Sequence, residues 1–93
     1  MTLFVDVNEL SALVSKHGTE AFMADLLVYM EEEFSRWEAF DKSARTAAHS
    51  HVGVIELMPI ADDTNYGFKF VNGHPSNPSH GMPTVMAFGA LAD

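Results

Sequence analysis

Ninety-three residues without a cysteine allow one domain or a piece of one, with a modest core and neither a disulfide framework nor a thiol nucleophile. A hydrophobic fraction of 47% with seven Phe argues for a folded chain, while charges interrupt every apolar stretch before it reaches membrane-spanning length. The net charge of −8 excludes the basic face that nucleic-acid binding requires.

The first residues, Leu3-Phe4-Val5, read as a short strand. Asn8 then offers an N-cap side chain, and Glu9, Leu10, Leu13 and Val14 follow at helical spacing until Gly18 stops the helix. Thr19 opens a second helix. Phe22, Met23, Leu26, Leu27, Met30, Phe34, Trp37 and Phe40 recur every third or fourth residue, one apolar stripe of a helix expected from about 19 to 40. The run Glu31-Glu32-Glu33 points in three directions around such a helix, so it reads as a solvated face rather than a metal cluster.

From Ala44 the period changes to two. Arg45, Ala47, His49 and His51 are expected on one strand face, Val54, Glu56 and Met58 on another, and Tyr66, Phe68 and Phe70 on a third. Lys69 falls opposite that aromatic face, alongside Gly67 and Val71. Strands at 44–50 and 53–60 leave little room for a turn, and Gly53 marks either a bulge or a bend. Residues 61–65 read as a hairpin connection to a strand at 66–72. Residues 72–83, with three prolines and two glycines, read as an irregular loop before a last strand, Thr84–Leu91. The fold class is therefore α+β, two helices packed on a mostly antiparallel sheet of four or five strands. Residues 1–41 carry the short strand and the helices; residues 42–93 carry the sheet and loop.

Charge follows the same division. Residues 1–41 hold nine acids against Lys16 and Arg36, whereas residues 42–93 hold four against Lys42, Arg45 and Lys69. The acidic surface belongs to the helical half, and the near-neutral strand half is where a site is expected. Within it Arg45, Glu56 and Lys69 stand in alternating apolar surroundings, where an unpaired buried charge would cost several kcal/mol, roughly. Two cations and an acid on neighbouring strands suit a small zwitterion, with a carboxylate for the cations and an amine for the Glu. Read without a ligand, Arg45 is an edge residue paired with an acid, Lys69 a lysine snorkelling off a strand, and Glu56 the partner of a cation. His49 and His51, helped by His74 or His80, are zinc-ligand types, but their spacing matches no established zinc pattern, and no metal site is expected. No Gly-x-Gly-x-x-Gly, Walker A or Gly-x-Ser-x-Gly string occurs. The N-terminus has no basic region or small-residue cleavage site, so no signal peptide is expected; with no cysteine, a cytoplasmic location is.

The strings FDKSAR (40–45), GVIELMP (53–59), YGFKFVNGHP (66–75) and TVMAFGALAD (84–93) resemble the ornithine cyclodeaminase/mu-crystallin family, from about Phe4 to Asp93. The resemblance implies that the chain is the N-terminal part of that family's substrate-binding and dimerisation domain, with the dinucleotide-binding domain lying beyond it. It implies an NAD-dependent lyase converting L-ornithine to L-proline with release of ammonia. Arg45 and Lys69 match the positions that hold the substrate carboxylate, Glu56 an acid near the reacting amine with a catalytic role, and Thr84 a position beside the cofactor. A homodimer or larger assembly through the sheet is implied too. The 93 residues alone are expected to be inactive, for want of a dinucleotide loop. Two other readings stay open: a catalytically silent, dimer-forming remnant, and a related ketimine reductase or amino-acid dehydrogenase.

Overall fold

The computed structural model describes all 93 residues, which divide into two units, Met1–Trp37 and Glu38–Asp93. The first is a helical hairpin, α1 (Val7–His17) and α2 (Thr19–Ser35). Helix α1 starts two residues earlier than an Asn8 N-cap would place it. Its N-cap is Asp6, whose carboxylate accepts the Glu9 N–H at 2.8 Å while the Glu9 carboxylate accepts the Asp6 N–H at 3.0 Å. This reciprocal capping box satisfies two backbone donors at once, which Asn8, inside the first turn, cannot do.

Gly18 joins the helices. Its φ of +90° lies in the region that side chains disfavour. Its N–H donates to the Val14 carbonyl and its own carbonyl accepts from Phe22, both at 2.9 Å, so one residue ends α1 and begins α2. The second helix stops at Ser35 rather than near residue 40. The Ser35 hydroxyl donates to the Glu32 carbonyl at 2.6 Å, and the chain tightens into a 3₁₀ turn, Trp37–Ala39, with Phe34 and Trp37 stacked at 5.6 Å. Leu3–Val5 form no strand, because no neighbouring strand pairs with their peptide groups.

The second unit is a five-stranded sheet: β1 (Asp41–Lys42), β2 (Thr46–His49), β3 (Val54–Ala61), β4 (Tyr66–Gly73) and β5 (Val85–Ala92). Every pairing is antiparallel. The order is β1-β3-β4-β5, with β2 continuing beside β3 where β1 leaves it. Two hairpins set the register. Between β2 and β3 the Ser50 N–H donates to the Gly53 carbonyl at 2.9 Å, and the Ser50 hydroxyl accepts from Val52 and Gly53, so Gly53 closes a bend and not a bulge. A Cβ there would fall 2.3 Å from the Gly73 carbonyl oxygen and 2.5 Å from Cδ2 of His74, so only glycine fits. Between β3 and β4, Oδ1 of Asp62 accepts the N–H groups of Thr64 and Asn65 at 2.9 and 2.8 Å. The long connection to β5 contains a 3₁₀ turn, Asn77–His80, and closes with the His74 N–H donating to the Thr84 carbonyl at 2.8 Å.

The architecture is thus α+β, as the sequence reading has it, with two helices and five strands. No side chain is fully buried anywhere in the chain. Val14 and Phe22 are half-buried in the helical unit; in the sheet Val54, Glu56, Met58, Phe70 and Val71 are half-buried, while Ile55, Leu57, Phe68 and Phe88 stay exposed.

Candidate functional site

Directly opposed residues of an antiparallel ladder send their side chains to the same face. Glu56 opposes Ala47 on one side and Val71 on the other, and Met58 opposes Lys69. One face therefore carries Ala47, His49, Val54, Glu56, Met58, Lys69 and Val71, and the other carries Ile55, Leu57, Tyr66, Phe68, Phe70, Met86 and Phe88. The alternation read from the sequence is the alternation of the sheet. Lys69 and the aromatic residues lie on opposite faces.

Arg45 sits in the coil just before β2 and not within a strand, since pairing with β3 begins at Thr46. From there its Nη1 donates to both carboxylate oxygens of Glu56, at 3.3 and 3.4 Å. The Arg45 side chain is 59% exposed and that of Glu56 23%, so the pair is partly solvated and worth no more than about 1 kcal/mol to stability. Lys69 is on the same face, one diagonal step from Glu56, a separation of roughly 7–8 Å between backbones in such a ladder. It makes no ion pair or hydrogen bond. The sheet thus assembles one tied cation, one acid and one free cation on a single face.

Thr84 is not brought to this group. It precedes β5, where Val85 and not Thr84 takes the alternation of the charged face, and its hydroxyl has no partner in the chain. Of the histidines, His49 lies in β2, but His51 falls in the turn, so the two do not share a strand. The His74 ring rests against Gly53, and His80 lies in the 3₁₀ turn with Nδ1 3.1 Å from the Ser79 hydroxyl. No three His, Cys, Asp or Glu side chains come together as a metal-ligand group. Among the three consecutive acids of α2, Glu33 bonds Arg36 at 2.8 Å, as a helix face does.

One feature escapes a reading of spacing alone. Nε2 of His17 lies 2.7 Å from Oδ2 of Asp25, across the Gly18 corner, at the edge of a cavity of about 330 Å³ lined by Leu13, Phe22, Leu26 and Tyr29. The two residues are eight apart, a spacing with no periodic signature, and only the tight turn at Gly18 makes them neighbours. No helix is long and apolar enough to cross a membrane.

The sequence model of the ornithine cyclodeaminase/mu-crystallin family matches residues 7–93. Ornithine cyclodeaminase of Brucella abortus is 56% identical over 90 residues and that of Agrobacterium fabrum 53%, each alignment covering 97% of this chain. The chain spans about a quarter of the length of these relatives, 25% in both cases. Among solved structures, an archaeal alanine dehydrogenase dimer with bound NAD superposes with a TM-score of 0.58 at 30% identity, over 66% of this chain and 19% of that one.

Proposed function

The chain belongs to the ornithine cyclodeaminase/mu-crystallin family, and on that premise we propose that the charged face of its sheet is the carboxylate-binding wall of an amino-acid site. The observation that carries the reading is the convergence of Arg45, Glu56 and Lys69 on one face, two cations and an acid from a coil and two paired strands. Lys69, without a partner, attracts the carboxylate, and the free nitrogens of Arg45 give it a planar, directional contact. Glu56 supplies the negative side, where the substrate's amine belongs.

In the whole protein the activity we propose is conversion of L-ornithine to L-proline and ammonia in the cytoplasm. Bound NAD would supply hydride acceptance and return. The residues of this chain contribute positioning. They hold the α-carboxylate so that the α-carbon has one orientation, an effect worth several kcal/mol of barrier, roughly. Thr84, whose hydroxyl is unpartnered, is the residue proposed to meet the cofactor. The 93 residues alone bind and do not turn over ornithine.

The archaeal neighbour, an alanine dehydrogenase by its description, favours a second reading within the same superfamily, oxidation or reduction of another amino acid at the same wall. Nuclear magnetic resonance titration of the 93-residue chain tests the carboxylate wall itself. L-Ornithine should shift the side-chain resonances of Lys69 and Arg45, and Lys69→Ala should weaken binding at least tenfold. Equal binding by that variant contradicts the reading.

A further inference from the structure

The contact between Arg45 and Glu56 is one-sided. Both carboxylate oxygens meet the same nitrogen, Nη1, while Nη2 and Nε make no hydrogen bond. A guanidinium carries five N–H donors in a planar fork, so fastening one corner leaves an adjoining edge free for a second carboxylate. The two residues also differ in support. Arg45 stands on coil with its side chain 59% exposed, whereas Glu56 lies mid-strand in β3, paired on both sides and only 23% exposed. The fixed member is the acid.

We propose that Glu56 is the positioning residue of Arg45, holding the guanidinium by one corner so that its free edge is ordered before a carboxylate arrives. The proposal rests on the carboxylate-binding reading and gives Glu56 a role beyond meeting the amine. An arginine on coil would otherwise lose its rotamer freedom on binding; the Glu56 contact removes that loss in advance. Charge follows the same logic. Arg45 and Glu56 cancel, so the attraction that recruits an anion comes from Lys69, and the direction it takes comes from the ordered Arg45.

Two ligands separate this role from a direct one. L-Ornithine and pentanoate share a five-carbon chain ending in a carboxylate, but only ornithine has amines. Their affinities for the 93-residue chain and its Glu56→Ala, Glu56→Gln and Lys69→Ala variants are measured by titration, together with ¹⁵N relaxation of the Arg45 side chain without ligand. Glu56→Ala should loosen Arg45 and weaken pentanoate about tenfold, with ornithine weakened at least as much. Glu56→Gln, which keeps an accepting oxygen, should restore part of both effects, and Lys69→Ala should weaken both ligands without loosening Arg45. If Glu56→Ala weakens ornithine and leaves pentanoate unchanged, Glu56 serves the amine alone and the proposal is overturned. If the unsubstituted chain binds neither ligand, the carboxylate reading fails, and the relaxation data decide alone: an Arg45 equally ordered in Glu56→Ala overturns the positioning role.

Discussion

The three charged residues of the candidate site differ in what holds them. Glu56 is fixed by strand pairing, Arg45 is tied to Glu56 through one nitrogen, and Lys69 is free. A free cation whose neighbours include Met58 and Val71 gains little stability from its position, so removing it should cost function and not folding. In the complete protein Lys69→Ala is expected to lower kcat/KM on ornithine tenfold to a hundredfold, the loss of a charge-assisted contact of about 1.5–3 kcal/mol, while the urea midpoint stays within error. Arg45→Ala should give a similar loss of kcat/KM and a small loss of stability, because it also leaves Glu56 without its partner. Steady-state kinetics and denaturation on the same preparations check both. A variant with parental kcat/KM and a lowered midpoint would make that residue a structural ion-pair member.

At the scale of elements, corners and caps decide the geometry, and these were only partly legible in sequence. Period-two alternation placed Lys69 away from the aromatic face, and the hairpin at 61–65 followed from its Asp, Thr and Asn content. Asn8 and Asp6 are both good capping types, and only the reciprocal bonds with Glu9 distinguish them. Helix α2 ends at Ser35 although its apolar stripe runs on to Phe40, since periodicity reports which side chains align and not where the backbone changes its bonding. The spacing of Arg45 fits a strand, but pairing begins one residue later, at Thr46. Two substitutions test the corners. Gly53→Ala should destabilise the sheet by more than about 1 kcal/mol, since its Cβ would strike the backbone carbonyl of Gly73 at 2.3 Å. Asp6→Ala should cost about 1 kcal/mol by loss of the cap. Urea denaturation followed by circular dichroism reads both; a neutral Gly53→Ala would show that the bend relaxes.

Over the whole molecule the dominant fact is exposure. No side chain is fully buried, and Tyr66, Phe68, Met86 and Phe88 leave an apolar sheet face open to solvent. Phe88 packs edge-on to Phe68 at 6.1 Å and tilted against Phe70 at 5.2 Å, so the face is ordered without being covered. Apolar area contributes roughly 25 cal/mol per Å² on burial, and an uncovered face of this kind favours association. The net charge of −8 opposes it, though most of the acids lie in residues 1–41, and salt screens the remainder. We expect the chain to sediment as a dimer or larger species at micromolar concentration and moderate salt, with Phe68→Ser and Phe88→Ser together shifting it toward monomer. A well-folded monomer throughout that range contradicts association through the sheet.

The central claim is that the charged face recognises a carboxylate and not merely an amine. The most direct measurement is a paired titration of the 93-residue chain with L-ornithine and with putrescine, which has ornithine's two amines on a four-carbon chain without the carboxylate, while the Arg45 and Lys69 side-chain resonances are followed. Ornithine should move both sets of resonances saturably, and putrescine at the same concentrations should leave both in place. Movement by putrescine equal to that by ornithine would contradict the account.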